Sequence, residues 1–223
     1  MLRIGGSVVA SPINPELIAQ YVDVLKKLKK QGHTLVVVVG GGELARELIG
    51  VAKKIGLKES EQDEIAISAS RIFAQFFLKK LGKMVCSEIP ASLKDVRNCL
   101  AERQMAVMGG LKPGMTTDSV AALVTKEIKA DILVKATNQD GIFNKDPTKY
   151  PDAVKIDHLT IKELSNVFSE TKHKAGIHQI IDPEAVKILR SCEAKIVVVK
   201  GFDPNNVLLA VEGKQVGTLI DIM

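Results

Sequence analysis

The sequence predicts an α/β fold: a three-layer αβα sandwich with a mostly parallel central sheet. Three observations lead there. Apolar strand-like runs alternate with amphipathic helical stretches from one end of the chain to the other, as in a sheet covered by helices on both faces. Residues 35–39 are uniformly apolar and rich in β-branched side chains, as a central strand buried on both faces requires. Three glycine-rich turns, Gly5-Gly6-Ser7, Gly40-Gly41-Gly42 and Gly109-Gly110, each follow such a run.

Residues 2–4 make a short first strand. Asn14-Pro15-Glu16 then supplies an N-cap, an N1 proline and an early acid, the start signals of a helix. Leu17, Ile18, Tyr21, Leu25 and Leu28 line one face of that helix, and Gly32 ends it. A second helix covers 43–55. A longer one covers 63–81, with Ile65, Ile72, Phe73, Phe76 and Phe77 as its apolar set; it either packs on the sheet or offers a subunit interface. A short strand near Val85, a helix over 93–103, a strand over 105–108 and a helix over 119–129 follow. The second half opens with a strand over 132–136. Residues 137–147, TNQDGIFNKDP, are turn chemistry throughout and predict a structured loop. Next come a strand at 154–156, a helix at 160–168 and a polar loop at 169–179. Asp182-Pro183-Glu184 starts another helix, and a strand at 195–200, a helix at 205–211 and a strand at 216–220 close the pattern. Neither a linker nor a repeat interrupts it, so residues 1–223 read as one domain.

Composition narrows the function classes. The sequence lacks an apolar stretch of membrane-spanning length and enters a strand and a glycine turn at once, which predicts a cytoplasmic protein without a signal peptide. The net charge is +5, but the lysines fall mainly on helix faces, as in Lys26-Lys27 with Lys29-Lys30. With 4% aromatics and no Trp, a stacking platform for single-stranded nucleic acid is poorly supplied, whereas a mild positive field suits polyphosphates. Cys86, Cys99 and Cys192 are widely spaced without a C-x-x-C pair and read as reduced core thiols. His33, His158, His173 and His178 share no metal-ligand spacing, and without a G-x-S-x-G pattern a hydrolytic triad is unsupported.

Glycine turns after strands let backbone N–H groups close on phosphate oxygens, because the missing β-carbon permits close approach and positive φ. One Gly-Gly pair is most often only a tight turn; three after three strands point to phosphorylated ligands. None matches G-x-x-x-x-G-K-[ST], and Gly40-Gly41-Gly42 fails G-x-G-x-x-G because residue 45 is Ala.

These segments resemble the amino acid kinase superfamily. Arg3-Ile4-Gly5-Gly6-Ser7 is similar to its K-x-G-G-S opening, VVVVGGGELAR (36–46) to its second glycine loop, and KATNQDGIFNKDP (135–147) to its nucleotide loop. Within it, GGLKPGMTTDSVAA (109–122) is similar to the G-G-T-x-P-G-H-T-T-D-x-V-A-A of archaeal uridylate kinases, and Glu59-Ser60-Glu61-Gln62-Asp63 to their S-E-x-x-x-D segment. The resemblance implies in-line transfer of the ATP γ-phosphoryl group to UMP, with magnesium carried on the phosphates and without a phosphoenzyme. It also implies a homohexamer built from dimers. By the family pattern Gly6 and Ser7 cradle the donor phosphates, Gly41 faces the UMP phosphate, and Gly42 with Arg46 contacts the ATP side. Asp63 corresponds to the acid that holds the UMP ribose, and Leu111, Lys112, Pro113, Gly114, Met115, Thr116 and Thr117 to the loop around uracil. Thr137, Asn138, Phe143 and Asp146 match positions lining the ATP base and ribose, and Asp182 an aspartate that organises catalytic cations.

Each residue also has a plainer reading. Asp63 and Asp182 are good N-caps, Asp140 is a turn residue, Arg46 an ordinary surface arginine, and Arg3 an exposed residue on a fraying strand. The chain departs from the family pattern in four places. Arg3 stands where the superfamily has its phosphate-binding lysine, and as a catalytic cation it would clamp phosphate with a planar fork. Leu111, Lys112 and Met115 replace the usual Thr, variable and His residues, leaving backbone groups with Thr116 and Thr117 to read uracil. Phe143 replaces a common Tyr, and Lys135 is as in bacterial relatives. Other readings of the same pattern are a kinase of this fold for isopentenyl phosphate or acetylglutamate, and a nucleotide- or anion-binding protein without turnover.

Overall fold

Val36–Val39, four consecutive valines, form strand β2, and none of the four has any solvent contact. The run is uniformly apolar because helices cover both of its faces. In the computed structural model, which describes residues 1–164 and 180–222, β2 lies between β1 (Leu2–Ile4) and β3 (Ala106–Met108). The sheet extends through β4 (Ile132–Thr137), β8 (Lys195–Lys200), β9 (Thr218–Asp221) and β7 (His158–Thr160), in the order β3-β2-β1-β4-β8-β9-β7. All pairings are parallel except β8 with β9. A separate antiparallel hairpin pairs β5 (Ile142–Phe143) with β6 (Lys155–Ile156).

Alternation along the strands assigns the two helical layers. Leu2, Ile4, Val37, Val39, Val134 and Ala136 face α2 (Pro15–Lys30), α4 (Glu59–Leu81) and α8 (Asn205–Val211) in one apolar cluster. Val36, Val38, Met108, Leu133 and Val198 face α5 (Leu93–Ala101), α6 (Thr117–Glu127) and α7 (Pro183–Leu189) in the other. The expected αβα sandwich is therefore present, and none of its described helices is long and apolar enough to cross a membrane. The helix predicted from Asn14 begins there: Asn14 Oδ1 accepts the Leu17 N–H at 2.9 Å, a cap whose loss costs about 1 kcal/mol.

Several local expectations change. A four-residue helix, α1 (Gly6–Val9), follows β1 directly, and α3 (Gly42–Lys54) starts at the third glycine of its turn. The long helix α4 starts four residues before Asp63, because Glu61 Oε2 accepts the Lys58 N–H at 2.7 Å and closes the first turn. Asp63 is thus inside the helix and is not its cap. Phe73 and Phe77 of α4 are buried, whereas Ile72 and Phe76 stay half exposed at 51% and 48%, so the helix packs on the sheet and also presents an apolar edge. Thr160, the expected first residue of a helix, instead ends strand β7, and helical backbone begins at Ile161. Residues 165–168 of that predicted helix and the whole of the polar loop at 169–179 lie outside the described residues. The thiol expectation is corrected for two cysteines: a bridge between Val85 and Met105 brings Cys86 beside α5, where it is disulfide-bonded to Cys99 with a Cα–Cα distance of 5.6 Å. Cys192 is free.

Candidate functional site

The carboxyl ends of the five adjacent parallel strands β3, β2, β1, β4 and β8 open on one edge of the sheet, and the chain turns away in opposite directions on either side of β1 and β4. Such a switch point leaves a crevice where an open α/β sheet binds ligands. The three glycine turns and residues 137–138 all emerge there. Their backbones are tied together: Gly5 N–H donates to Ala136 O at 2.8 Å, Gly40 N–H to Ile4 O at 3.0 Å, and Gly201 N–H to Thr137 O at 2.6 Å. A β-carbon on Gly6 would lie 2.0 Å from Gly42 N, and Gly42 has φ of +61°. Both positions therefore need glycine for contact between the turns themselves, independently of any ligand.

The loop from Gly110 to Thr117 roofs a cavity of about 380 Å³, with Gly41, Asp63, Ile67, Ser70 and Met115 among its walls. Helix α4 grips this loop by its backbone. Asp63 Oδ2 accepts the Gly114 N–H at 2.7 Å, Ser70 Oγ accepts the Gly110 N–H at 2.8 Å, and Arg71 Nε donates to Gly110 O at 3.1 Å. Gly114 takes φ of +77°, which turns its N–H toward Asp63. Lys112 and Pro113 are exposed, whereas Leu111 and Met115 pack against the apolar layer beneath α6. The two apolar departures from the family pattern thus serve as local core.

The loop ends in the cap of α6. Thr116 Oγ1 accepts the Ser119 N–H at 3.1 Å and donates to Asp182. Ser119 Oγ donates to Asp182 Oδ1 at 3.1 Å, and the same Oδ1 accepts the Ala185 N–H at 2.9 Å. Asp182 is therefore the N-cap of α7, and its carboxylate also ties the start of α6 to that cap.

Arg3 is not on a fraying edge, because β1 is central. Its Nε lies 2.8 Å from Asp118 Oδ1, and its Nη2 donates to Thr117 Oγ1 at 3.0 Å. Asp118 Oδ2 is ion-paired with Lys135 Nζ from β4. Burial alone would raise the Asp118 carboxyl, but Arg3 and Lys135 together outweigh it and hold the group below its usual range. Burial first, and the Arg3 charge second, pull the Lys135 ammonium down to about 8. Neither Asp118 nor Lys135 was among the expected site residues. The available signal was a lysine in the otherwise apolar run Ile132-Leu133-Val134-Lys135-Ala136, since a fully buried lysine requires a partner.

On the nucleotide-loop side, Thr137 is buried and its hydroxyl donates to Asn138 Oδ1 at 3.2 Å. Phe143 belongs to the β5–β6 hairpin. Thr148, through its hydroxyl and its N–H, holds the Asp146 carboxylate in a turn and lowers its pKa. Thr218 fixes the hairpin: its fully buried hydroxyl accepts the Ile142 N–H at 2.8 Å and donates to Ile156 O at 2.5 Å. Lys200 reaches Asp140 across the loop at 3.0 Å. Gly6, Gly41, Gly42, Arg3, Thr116, Thr117 and Asp182 converge at the crevice, while Arg46 stands exposed on α3. Asp182, the one acid there that the sequence singled out as organising cations, spends its oxygens on Thr116, Ser119 and Ala185. Among the described residues no three His, Cys, Asp or Glu side chains gather where a metal ion could sit.

Residues 2–200 match the model of the amino acid kinase family. The chain is 40% identical over 220 residues to a uridylate kinase of Methanocaldococcus jannaschii, covering 98% of this chain and 97% of that one. It is 41% identical over 222 residues to a uridylate kinase of Methanococcus maripaludis strain C5, covering 99% and 98%. The crystal structure of uridylate kinase from Archaeoglobus fulgidus superposes with a TM-score of 0.85 at 34% identity, covering 98% of this chain and 99% of that one. Glycine turns at a switch point, a loop gripped by its backbone beside them and this similarity along nearly the whole length agree: the chain belongs to the amino acid kinase family, alongside the archaeal uridylate kinases.

Proposed function

We propose that this protein is a UMP kinase that transfers the γ-phosphoryl group of ATP to UMP, giving UDP and ADP. The observation that carries the reading is the cavity under the Gly110–Thr117 loop, in a chain similar along nearly its whole length to proteins named uridylate kinase. In this reading UMP lies in that cavity, with its phosphate against Gly41 and its ribose on Asp63. Asp63 gives one oxygen to the Gly114 N–H and keeps acceptor capacity for a ribose hydroxyl. Backbone groups of residues 111–115 and the hydroxyls of Thr116 and Thr117 read the uracil edge. ATP enters from the side of Thr137, Asn138, Phe143 and Asp146, with Gly42 and Arg46 beside it, and its phosphates rest on Gly6 and Ser7.

The reaction needs donor and acceptor held in line and the charge on the transferred oxygens offset, with little covalent work by the protein. Arg3 supplies permanent positive charge between the two sides. Asp182 holds the Thr116 and Ser119 hydroxyls, fixing the start of α6. The magnesium typical of this chemistry would travel on the nucleotide phosphates, and none of these steps is routed through a protein-held ion. The family pattern further suggests a cytoplasmic homohexamer, for which the half-exposed Ile72 and Phe76 edge of α4 supplies apolar contact surface. Incubation with ATP, magnesium and each nucleoside monophosphate tests the function. UMP-dependent ADP formation is the expected result, and ADP release no higher with UMP than without an acceptor refutes it.

A further inference from the structure

Arg3 and Lys135 stand directly opposite each other in the parallel β1–β4 pair. Their side chains share the face covered by α6, to which both are joined through Asp118. Like charges opposite one another on one sheet face repel, and burial aggravates the repulsion. One carboxylate answers both. Divided between two cations, Asp118 leaves neither with a counter-ion of its own beneath the Gly5-Gly6 turn and Thr117, while Asp182 at the head of α7 adds a second carboxylate nearby. The outer edge of Arg3 is aimed at these two elements: Nη2 donates to Thr117 Oγ1, and a β-carbon on Gly5 would come within 3.0 Å of Nη1.

We propose that Lys135 is a positioning residue for phosphoryl transfer: by sharing Asp118 with Arg3 it keeps the guanidinium charge uncancelled and its Nη edge free for the transferred group. The inference rests on the kinase reading above. Lys135 is 5% exposed and ion-paired with Asp118, through which it acts. Without its charge, Asp118 and Arg3 would close into a neutral pair. The charged groups facing it are Arg3 from β1, Asp118 from α6 and Asp182 at the head of α7, while β8 places Val198 opposite it in register. Because its ammonium is drawn down to about 8, the cluster loses one positive charge within an accessible pH range.

The test is the pH dependence of kcat/KM for UMP at saturating ATP from about pH 6 to about pH 10, since this ratio reports ionisations of the free enzyme. The wild type is expected to lose activity on an alkaline limb near pH 8. Lys135→Arg keeps a permanent charge and is expected to move that limb out of the range. Lys135→Met should lower kcat/KM at neutral pH by about tenfold, less than the hundredfold or more for a donor that touches developing charge, with kcat falling more than either KM. An alkaline limb unmoved in Lys135→Arg, or a Lys135→Met variant within about twofold of wild type, overturns the proposal. If Lys135→Met does not fold, the comparison of wild type with Lys135→Arg decides. A wild type that forms no ADP with UMP strikes the kinase reading itself, whereas normal turnover with an unmoved limb strikes only the role of Lys135.

Discussion

Replacing Ser70 by Ala tests whether α4 sets the shape of the acceptor loop. Ser70 is 2% exposed; its hydroxyl accepts the buried Gly110 N–H at 2.8 Å and donates to Ile67 O at 2.7 Å. The second bond adds to a carbonyl already inside the helix, so its loss costs little. The first leaves a buried N–H without a partner, at about 1–3 kcal/mol. Packing contributes little, because a β-carbon on Gly109 would already come within 2.5 Å of Ser70 Oγ, so the space vacated is small. In a chain of 223 residues each kcal/mol moves Tm by about 2–4 °C, and the expected fall is about 2–12 °C. With its first residue unpinned the loop samples more conformations, so KM for UMP should rise several-fold while KM for ATP holds. Calorimetry and steady-state kinetics measure the two effects, with Ser70→Thr as the variant that keeps the hydroxyl. A Tm within about one degree of wild type, together with an unchanged KM for UMP, would refute the claim that this bond shapes the loop.

Asp63→Asn should raise KM for UMP by about three- to tenfold, the difference between a charged and a neutral acceptor, and leave KM for ATP unchanged; equal changes would reduce Asp63 to a loop anchor. Thr218→Val removes the hydroxyl that serves both Ile142 N–H and Ile156 O. It should raise KM for ATP about tenfold without affecting KM for UMP, with Thr218→Ser restoring the value, and a normal KM for ATP in the valine variant would contradict this. Stability should also depend on pH in a defined way. Unfolded Lys135 holds its proton up to its ordinary 10.5, folded Lys135 only up to about 8. Between these values the unfolded chain binds more protons, so stability rises with pH. Above about pH 10 burial keeps the Tyr21 phenol protonated in the folded state only, which opposes that gain. Urea midpoints should therefore climb between about pH 8 and pH 10, and a flat or falling series would contradict the burial of a charged lysine.

Periodicity made the sandwich legible because each strand here is either doubly buried or strictly alternating, and glycine turns mark where the strands end. Of the small pieces, β6 falls inside the strand expected at 154–156, but β5 and β7, two and three residues long, were not legible because they owe their form to the strands they pair with. The start of α4 was misplaced because Lys58 is a poor cap by type; the turn is closed by the backward reach of Glu61. Cys86 and Cys99 meet only because the Val85 bridge and α5 pack together, a relation that spacing in sequence cannot express. Within the site, the glycines and the T-T-D segment were visible as motifs. The pairing of Asp118 with both Arg3 and Lys135 was not, since it brings Arg3 to two residues more than a hundred positions further along the chain.

All four hydrogen bonds by which α4 holds the Gly110–Thr117 loop end on main-chain atoms, at Gly110, Leu111 and Gly114. The shape of the loop is thus written in a different part of the sequence from the loop itself. Lys112 and Pro113, whose side chains project outward, can change without altering that shape. Related proteins can then drift at these positions, and libraries randomised there would alter acceptor preference against a constant architecture. Changes at Asp63, Ser70 or Arg71, remote in sequence and unremarkable in composition, would alter that architecture instead.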